Sequence, residues 1–137
     1  MRPALREALV LDEGLRLKTY RCTAGKLTIG VGRNLDDNGI TRDEAMVLLD
    51  NDIARVESEC RKTFAWFGAL DDVRQEVILN MAFNLGISRL SQFHQTLSCL
   101  SAHDYSGAAE RMTQSLWARQ TGKRAERLSR QMKTGVR

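Results

Sequence analysis

Residues Tyr20–Leu35 read YRCTAGKLTIGVGRNL, and this stretch decides the fold. Its β-branched and aromatic side chains are punctuated by Gly25, Gly30 and Gly32, the pattern of short strands joined by tight turns. The reading is a small antiparallel sheet. Alternation along TIGVGR sets Thr28, Gly30 and Gly32 on one face and Ile29, Val31 and Arg33 on the other, so the Thr28 face is almost bare of side chains. A bulky ligand can approach the backbone there beside one hydroxyl, while Ile29 and Val31 are expected to pack inward. A bulge or a twist device is the structural alternative for the same glycines.

On the N-terminal side, Leu5, Leu9 and Val10 recur at near-helical spacing after Pro3, which is tolerated in a first turn, and predict a short helix ending near Gly14. On the C-terminal side, Asp36–Gly39 (DDNG) signals a turn. Thr41 followed by Glu44 is a capping box that opens a long helix with the apolar stripe Ala45, Leu48, Leu49, Ile53, Val56 and Cys60. Beyond Gly68 the chain reads as helical to its end, with starts near Asp71, Ser91, Asp104 and Thr121. The stripe Val73, Val77, Ile78, Met81 and Leu85 belongs to a central buried helix. The expected fold class is α+β, with a small antiparallel sheet lobe at about 14–40 and a long connecting helix at about 41–60. A larger helical lobe at about 60–137 takes in the N-terminal helix 3–13, and a cleft is expected between the lobes of one 137-residue domain.

Composition bounds the function classes. The chain has 42% hydrophobic and 28% charged residues, ordinary for a globular protein, and no apolar run approaches the roughly 20 residues that cross a bilayer. Arg6, Glu7, Asp12 and Glu13 interrupt the N-terminal apolar residues, so a cleavable signal peptide is not expected, and export would need help from outside the chain. Cys22, Cys60 and Cys99 are odd in number and lack CxxC spacing, which predicts free thiols rather than a disulfide framework or a zinc site; no metal or cofactor is implied. A net charge of +4 favours an anionic partner, among them nucleic acid, anionic lipid and an acidic wall polymer. The C-terminal cations Lys123, Arg124, Arg127, Arg130, Lys133 and Arg137 do not share one helical face, which favours a solvated basic surface over a nucleic-acid contact.

Glu13, Cys22 and Thr28 carry the candidate chemistry. A carboxylic acid can protonate a departing glycosidic oxygen while a polar side chain and a hydroxyl position water across the sugar. Taken singly, each has a plainer reading: a solvated carboxylate, a small buried thiol and a strand hydroxyl. Their spacing is more specific. Eight residues separate the first pair and five the second, and the segment DEGLRLKTYRCTAGKLTIGVGRN resembles the active-site region of the phage-type lysozymes, glycoside hydrolase family 24, whose pattern is Glu, eight residues, Asp or Cys, five residues, Thr. ALDDVRQEVILNMAFNLG, SLW, RQTGKRAER and the terminal KTG resemble the family's helical lobe in the family's order, so the likeness covers nearly the whole chain. The few residues between sheet and long helix imply a small lobe pared down relative to the T-even branch of the family. Arg33 stands where that branch has histidine, and Cys22 where it has aspartate.

The resemblance implies hydrolysis of the β-1,4 bond between N-acetylmuramic acid and N-acetylglucosamine in peptidoglycan by an endolysin that lyses its bacterial host. It makes Glu13 the general acid, with Cys22 and Thr28 holding water. Gly30 and Gly32 support the site, Asn84 and Trp117 are cleft-wall candidates, and Arg124 orients Glu13 and closes the lobes. The structural alternatives are a helix-end cap for Asn84 and a core aromatic for Trp117. An ion pair between Arg33 and Asp52 is expected to link sheet and long helix, and His94 and His103 read as surface or capping residues. The implied partner is peptidoglycan, reached by a monomer that waits in the host cytoplasm until a holin-type partner permeabilises the membrane and admits it to the periplasm and wall. No nucleic acid and no stable membrane insertion are expected. The competing readings are an inactive lysozyme-like wall binder and a basic helical nucleic-acid module.

Overall fold

A computed structural model describes all 137 residues, Met1–Arg137. The chain divides into two compact units, Met1–Leu48 and Leu49–Arg137. The architecture is α+β: one small antiparallel sheet and otherwise helices. No helix is long and apolar enough to cross a membrane.

The first unit begins with helix α1, Pro3–Glu13, with proline in its first turn and Gly14 closing it through a backbone bond from its N–H to Val10 O at 2.9 Å. Strands β1 (Arg16–Arg21), β2 (Leu27–Gly30) and β3 (Arg33–Asn34) follow in the order β1-β2-β3, both pairs antiparallel. Arg16 faces Gly30 and Tyr20 faces Thr28, so β1 holds extra residues between these pairs. The irregularity brings the Arg16 guanidinium to 4.8 Å from the Tyr20 ring centre. Ile29 pairs with Arg33, which makes Gly30-Val31-Gly32 the hairpin turn, and both glycines take positive φ, 70° and 68°.

That turn corrects the face assignment made from alternation. The strand stops at Gly30, so Val31 belongs to the turn and is exposed rather than packed inward, and Thr28 is the buried member of β2, 3% exposed. Asn34 then caps the single-turn helix α2, Leu35–Asn38, its Oδ1 accepting from Asp37 N at 3.0 Å.

Helix α3, Arg42–Thr63, opens with the expected capping box: Thr41 N donates to Glu44 Oε1 at 2.8 Å and Glu44 N donates to Thr41 Oγ1 at 3.1 Å. The same carboxylate takes the fork of Arg33, at 2.8 and 2.7 Å, and Arg33 also donates to Gly39 O at 3.1 Å. The expected Arg33–Asp52 pair is therefore replaced by Arg33–Glu44, while Asp52 pairs within its own helix with Arg55. Glu44 lies where the helix already needs an anion, so it is the pre-ordered acceptor. Arg33 first, then the Thr41 amide, hold its carboxyl well down, at about 2.

The second unit contains the apolar core. Helix α4, Asp72–Leu85, buries Val73, Val77, Ile78, Met81 and Leu85 as the stripe predicts, and Ala82 with them. Around it run α5 (Ile87–Leu90), α6 (His94–Ser101), α7 (Tyr105–Thr113), α8 (Leu116–Thr121) and α9 (Lys123–Thr134). Of the predicted α3 stripe, Val56 and Cys60 are buried, whereas Leu48, Leu49 and Ile53 are exposed. Asp71 and Asp104 cap α4 and α7 as expected, accepting from Arg74 N and Gly107 N. The helices expected to start near Ser91 and Thr121 begin slightly later, at His94 and Lys123. Each hydroxyl bonds back to the carbonyl four residues earlier, Ser91 to Ile87 O at 2.7 Å and Thr121 to Trp117 O at 3.0 Å, and so closes a helix; α6 starts after Phe93 and α9 after Gly122. The basic C-terminus is divided among partners: Arg124 is held by Asn80 and Arg137 pairs with Glu76. His94 and His103 are exposed, as expected of surface residues.

Candidate active site

Five of the eight sequence-derived site residues lie in the first unit. Cys22 begins the turn after β1: its N–H donates to Lys26 O at 3.0 Å, and its carbonyl accepts from Gly25 N at 2.8 Å. The Thr28 hydroxyl donates to the same Lys26 carbonyl, at 2.9 Å. One main-chain oxygen therefore gathers Cys22 and Thr28. Because the single hydroxyl proton points at Lys26 O, the Thr28 oxygen offers lone pairs to any water or thiol beside it.

The same turn acts on the thiol. Backbone hydrogen bonds from Lys26, then from Ala24, hold Cys22 below the usual thiol range, outweighing a small burial cost, and the Thr28 hydroxyl adds to them when it turns its proton to the sulfur. Cys60 shows the opposite case: burial in the apolar core pushes its thiol up to about 11. All three cysteines are free. Cys22 combines partial solvent access with a lowered thiol pKa, the combination that favours reactivity.

Glu13 is the last residue of α1 and is exposed, its direction set where the helix stops at Gly14. Its carboxylate lies against the hairpin turn: a Cβ at Gly32 would meet Glu13 Oε2 at 3.0 Å. Gly32 thus serves twice, through its positive φ and through the space it leaves for the acid. Gly30 supplies the other bare position of the turn, with open space where a Cβ would stand.

In the second unit the other three residues fall into two hydrogen-bonded pairs. Trp117 is buried, 3% exposed, and its indole N–H donates to Asn84 Oδ1 at 2.8 Å. It is a core aromatic that also lines a surface cleft of about 560 Å³ with Arg89, Phe93, His94, Thr96 and Arg111. Arg124 donates twice to Asn80 Oδ1, from Nε at 2.9 Å and Nη2 at 2.6 Å, on the wall of a groove of about 400 Å³ that includes Leu49, Ile53 and Phe83. Asn80 was not singled out from the sequence. The signal was present: Asn80 and Asn84 stand at i and i+4 in the otherwise apolar stretch Val77–Leu85, so both amides share a face.

A small antiparallel sheet with a thiol in its first turn, a hydroxyl on β2 and a helix-end carboxylate against its second turn, in a chain otherwise helical, is the α+β arrangement of a lysozyme-like fold. The phage lysozyme family model matches residues 11–134, and the chain belongs to that family. The chain is 31% identical to the pre-baseplate central spike protein of Enterobacteria phage T4, over 96% of its own length and 28% of that protein's. It is 27% identical to probable T4-type lysozyme 2 of Dictyostelium discoideum, covering 97% of this chain and 95% of the relative. With an endolysin of Acyrthosiphon pisum secondary endosymbiont phage 1 it shares 34% identity over 82% of this chain and 77% of the relative. The first two alignments, of 160 and 163 positions, exceed the 137-residue chain, so these relatives carry segments without counterpart here. Family membership supports a peptidoglycan-lytic glycosidase.

Proposed function

We propose that the protein is a muramidase that hydrolyses the β-1,4 bond between N-acetylmuramic acid and N-acetylglucosamine and serves in lysis of a bacterial host. The observation that carries this reading is the convergence of Cys22 and Thr28 on Lys26 O, with the Glu13 carboxylate against the Gly32 turn of the same small sheet. Glu13 gives its proton to the leaving glycosidic oxygen as the C1–O bond breaks. Water held by the Thr28 lone pairs and Cys22 bonds to C1 and sheds a proton, to the Cys22 thiolate or to solvent, and Glu13 is reprotonated from solvent. Attack from the face opposite the leaving group gives inversion. Trp117 and Asn84 are proposed as wall residues for the sugar polymer, and the net charge of +4 draws the enzyme to an anionic wall. Synthesis in the host cytoplasm, release by a holin-type partner and action as a monomer complete the reading.

The test is release of reducing ends from purified peptidoglycan. Glu13→Gln should lower it about 10³-fold with an unchanged circular dichroism spectrum, the scale of losing a general acid. Retained hydrolysis in that variant removes Glu13 from the role. A second reading, a lysozyme module acting in a virion, is favoured by the likeness to the T4 spike protein. Detection of the protein in purified virions rather than in the lysate would select it.

A further inference from the structure

The turn that carries Cys22 is not held by its own backbone alone. Asp36, in α2, accepts from the Leu27 N–H through Oδ2 at 2.7 Å, at the first residue of β2 and one position before Thr28. Arg21, the last residue of β1 and one position before Cys22, donates from Nη1 to Gly25 O at 3.2 Å and reaches the same Asp36 oxygen at 3.5 Å. Lys26 Nζ lies 3.2 Å from Asp37 Oδ1. The turn is therefore clamped from both ends: Arg21 ties its glycine, Asp36 ties its exit, and the two side chains tie each other. Between these ties lie Ala24 and Lys26, whose backbone hydrogen bonds lower the Cys22 thiol pKa, and the Lys26 carbonyl that receives Cys22 N and Thr28 Oγ1.

We propose that Asp36 and Arg21 are positioning residues for the reaction, fixing the turn so that Cys22 and Thr28 keep the separation a bound water requires. The proposal rests on the role given above to Cys22 and Thr28. A carboxylate at Asp36 suits the task because α2 places it in register with a main-chain N–H that no strand partner takes. Its charge holds the Arg21 fork over the turn. The charged groups around the turn are Arg21, Lys26, Asp36 and Asp37, two of each sign, so loss of Asp36 leaves a net positive turn. That excess charge favours a thiolate, whereas slackening of the backbone hydrogen bonds to Cys22 opposes it. The direction of the thiol's response therefore separates lost geometry from altered charge.

The experiment follows alkylation of Cys22 by iodoacetamide across pH, resolved from Cys60 and Cys99 by peptide mass mapping, in the full chain and in Asp36→Ala, Asp36→Asn, Arg21→Gln and Arg21→Lys. Asp36→Ala should move the alkylation midpoint upward in pH, and should lower kcat on purified peptidoglycan about tenfold with KM unchanged, the scale of a displaced reacting group. Asp36→Asn, whose amide oxygen can still accept from Leu27, should recover most of both. Arg21→Gln, at a largely exposed side chain, should shift the midpoint in the same direction by less. An unchanged or lowered midpoint in both Asp36→Ala and Arg21→Gln overturns the proposal. Should Asp36→Ala not fold, Arg21→Lys, which keeps the cation and loses the fork over Gly25 O, decides alone by the same upward shift. A shifted midpoint without any change in kcat also overturns the proposal, because the turn would then act on the Cys22 thiol without acting on the reaction.

Discussion

The two units are held together by different forces. In Leu49–Arg137 nineteen apolar side chains form one buried cluster, from Val56 through Phe67, Met81 and Leu100 to Met132. In Met1–Leu48 the one buried residue is Thr28, a polar side chain. That unit is organised instead by the Arg33–Glu44–Thr41 knot, the Asn34 cap and the Asp36 and Lys26 ties. Apolar packing is non-directional, and it gives a stable scaffold. Hydrogen bonds fix orientation, and two of them draw Cys22 and Thr28 to one carbonyl, Lys26 O. The proposed chemistry thus occupies the unit whose bonds specify geometry, at the cost of stability that burial would add.

The contrast can be broken most easily from the apolar side. Phe67 is fully buried, and Phe67→Ala should cost about 4 kcal/mol in urea unfolding, read from the signal of Trp66 and Trp117. A loss under 1 kcal/mol, on the order of a surface change, would mean that the cluster does not carry the second unit. Next comes Arg74, which donates to Met132 O at 2.7 Å and Lys133 O at 3.0 Å at the end of α9 while stacking 4.1 Å from the Tyr105 ring centre. Arg74→Met should remove about 2 kcal/mol and raise hydrogen exchange in the last turn of α9, since a cation there satisfies carbonyls that the helix leaves open.

A smaller effect, confined to the first unit, follows from Glu44. Its carboxyl is lowered to about 2 from an ordinary 4.5, so the stability it contributes is present above the ordinary value and is lost as pH falls from about 4.5 toward 2. Hydrogen exchange at the start of α3 should quicken over that window in the native protein and show no such step in Glu44→Gln. An identical pH response in both would place the knot's contribution elsewhere. The smallest change belongs to Cys22→Asp, which should keep turnover within about tenfold, because a carboxylate can position water as the thiol does. A sugar covalently trapped on Cys22 would contradict water positioning outright.

Much of this division was legible in the sequence, and the failures have a common physical cause. The α4 stripe and the Thr41–Glu44 box are patterns of one element, and local periodicity and capping suffice to read them. The partner of Arg33 depends on which carboxylate is already ordered: the Glu44 carboxylate is fixed by the Thr41 amide within the reciprocal capping box, while Asp52 has Arg55 one turn away. The inward face of β2 was misassigned because alternation was carried through Gly30-Val31-Gly32, where the chain turns. Ser91 and Thr121 carry the residue types of a helix start but spend their hydroxyls on the preceding turn, so the helices that follow begin slightly later. Of the site, the spacing of Glu13, Cys22 and Thr28 was readable. The shared Lys26 carbonyl and the Asp36 tie were not, since a main-chain acceptor and a cross-turn carboxylate leave no periodic trace.

The central claim is that Cys22 and Thr28 hold a water that attacks directly while Glu13 protonates the leaving oxygen. The measurement that tests it most directly is the anomeric configuration of the first product released from a defined peptidoglycan glycan, followed by nuclear magnetic resonance before mutarotation. The account predicts the inverted α-anomer, absent in Glu13→Gln. First release of the β-anomer would contradict direct attack by water, and no release at all would contradict the assignment of turnover to this site.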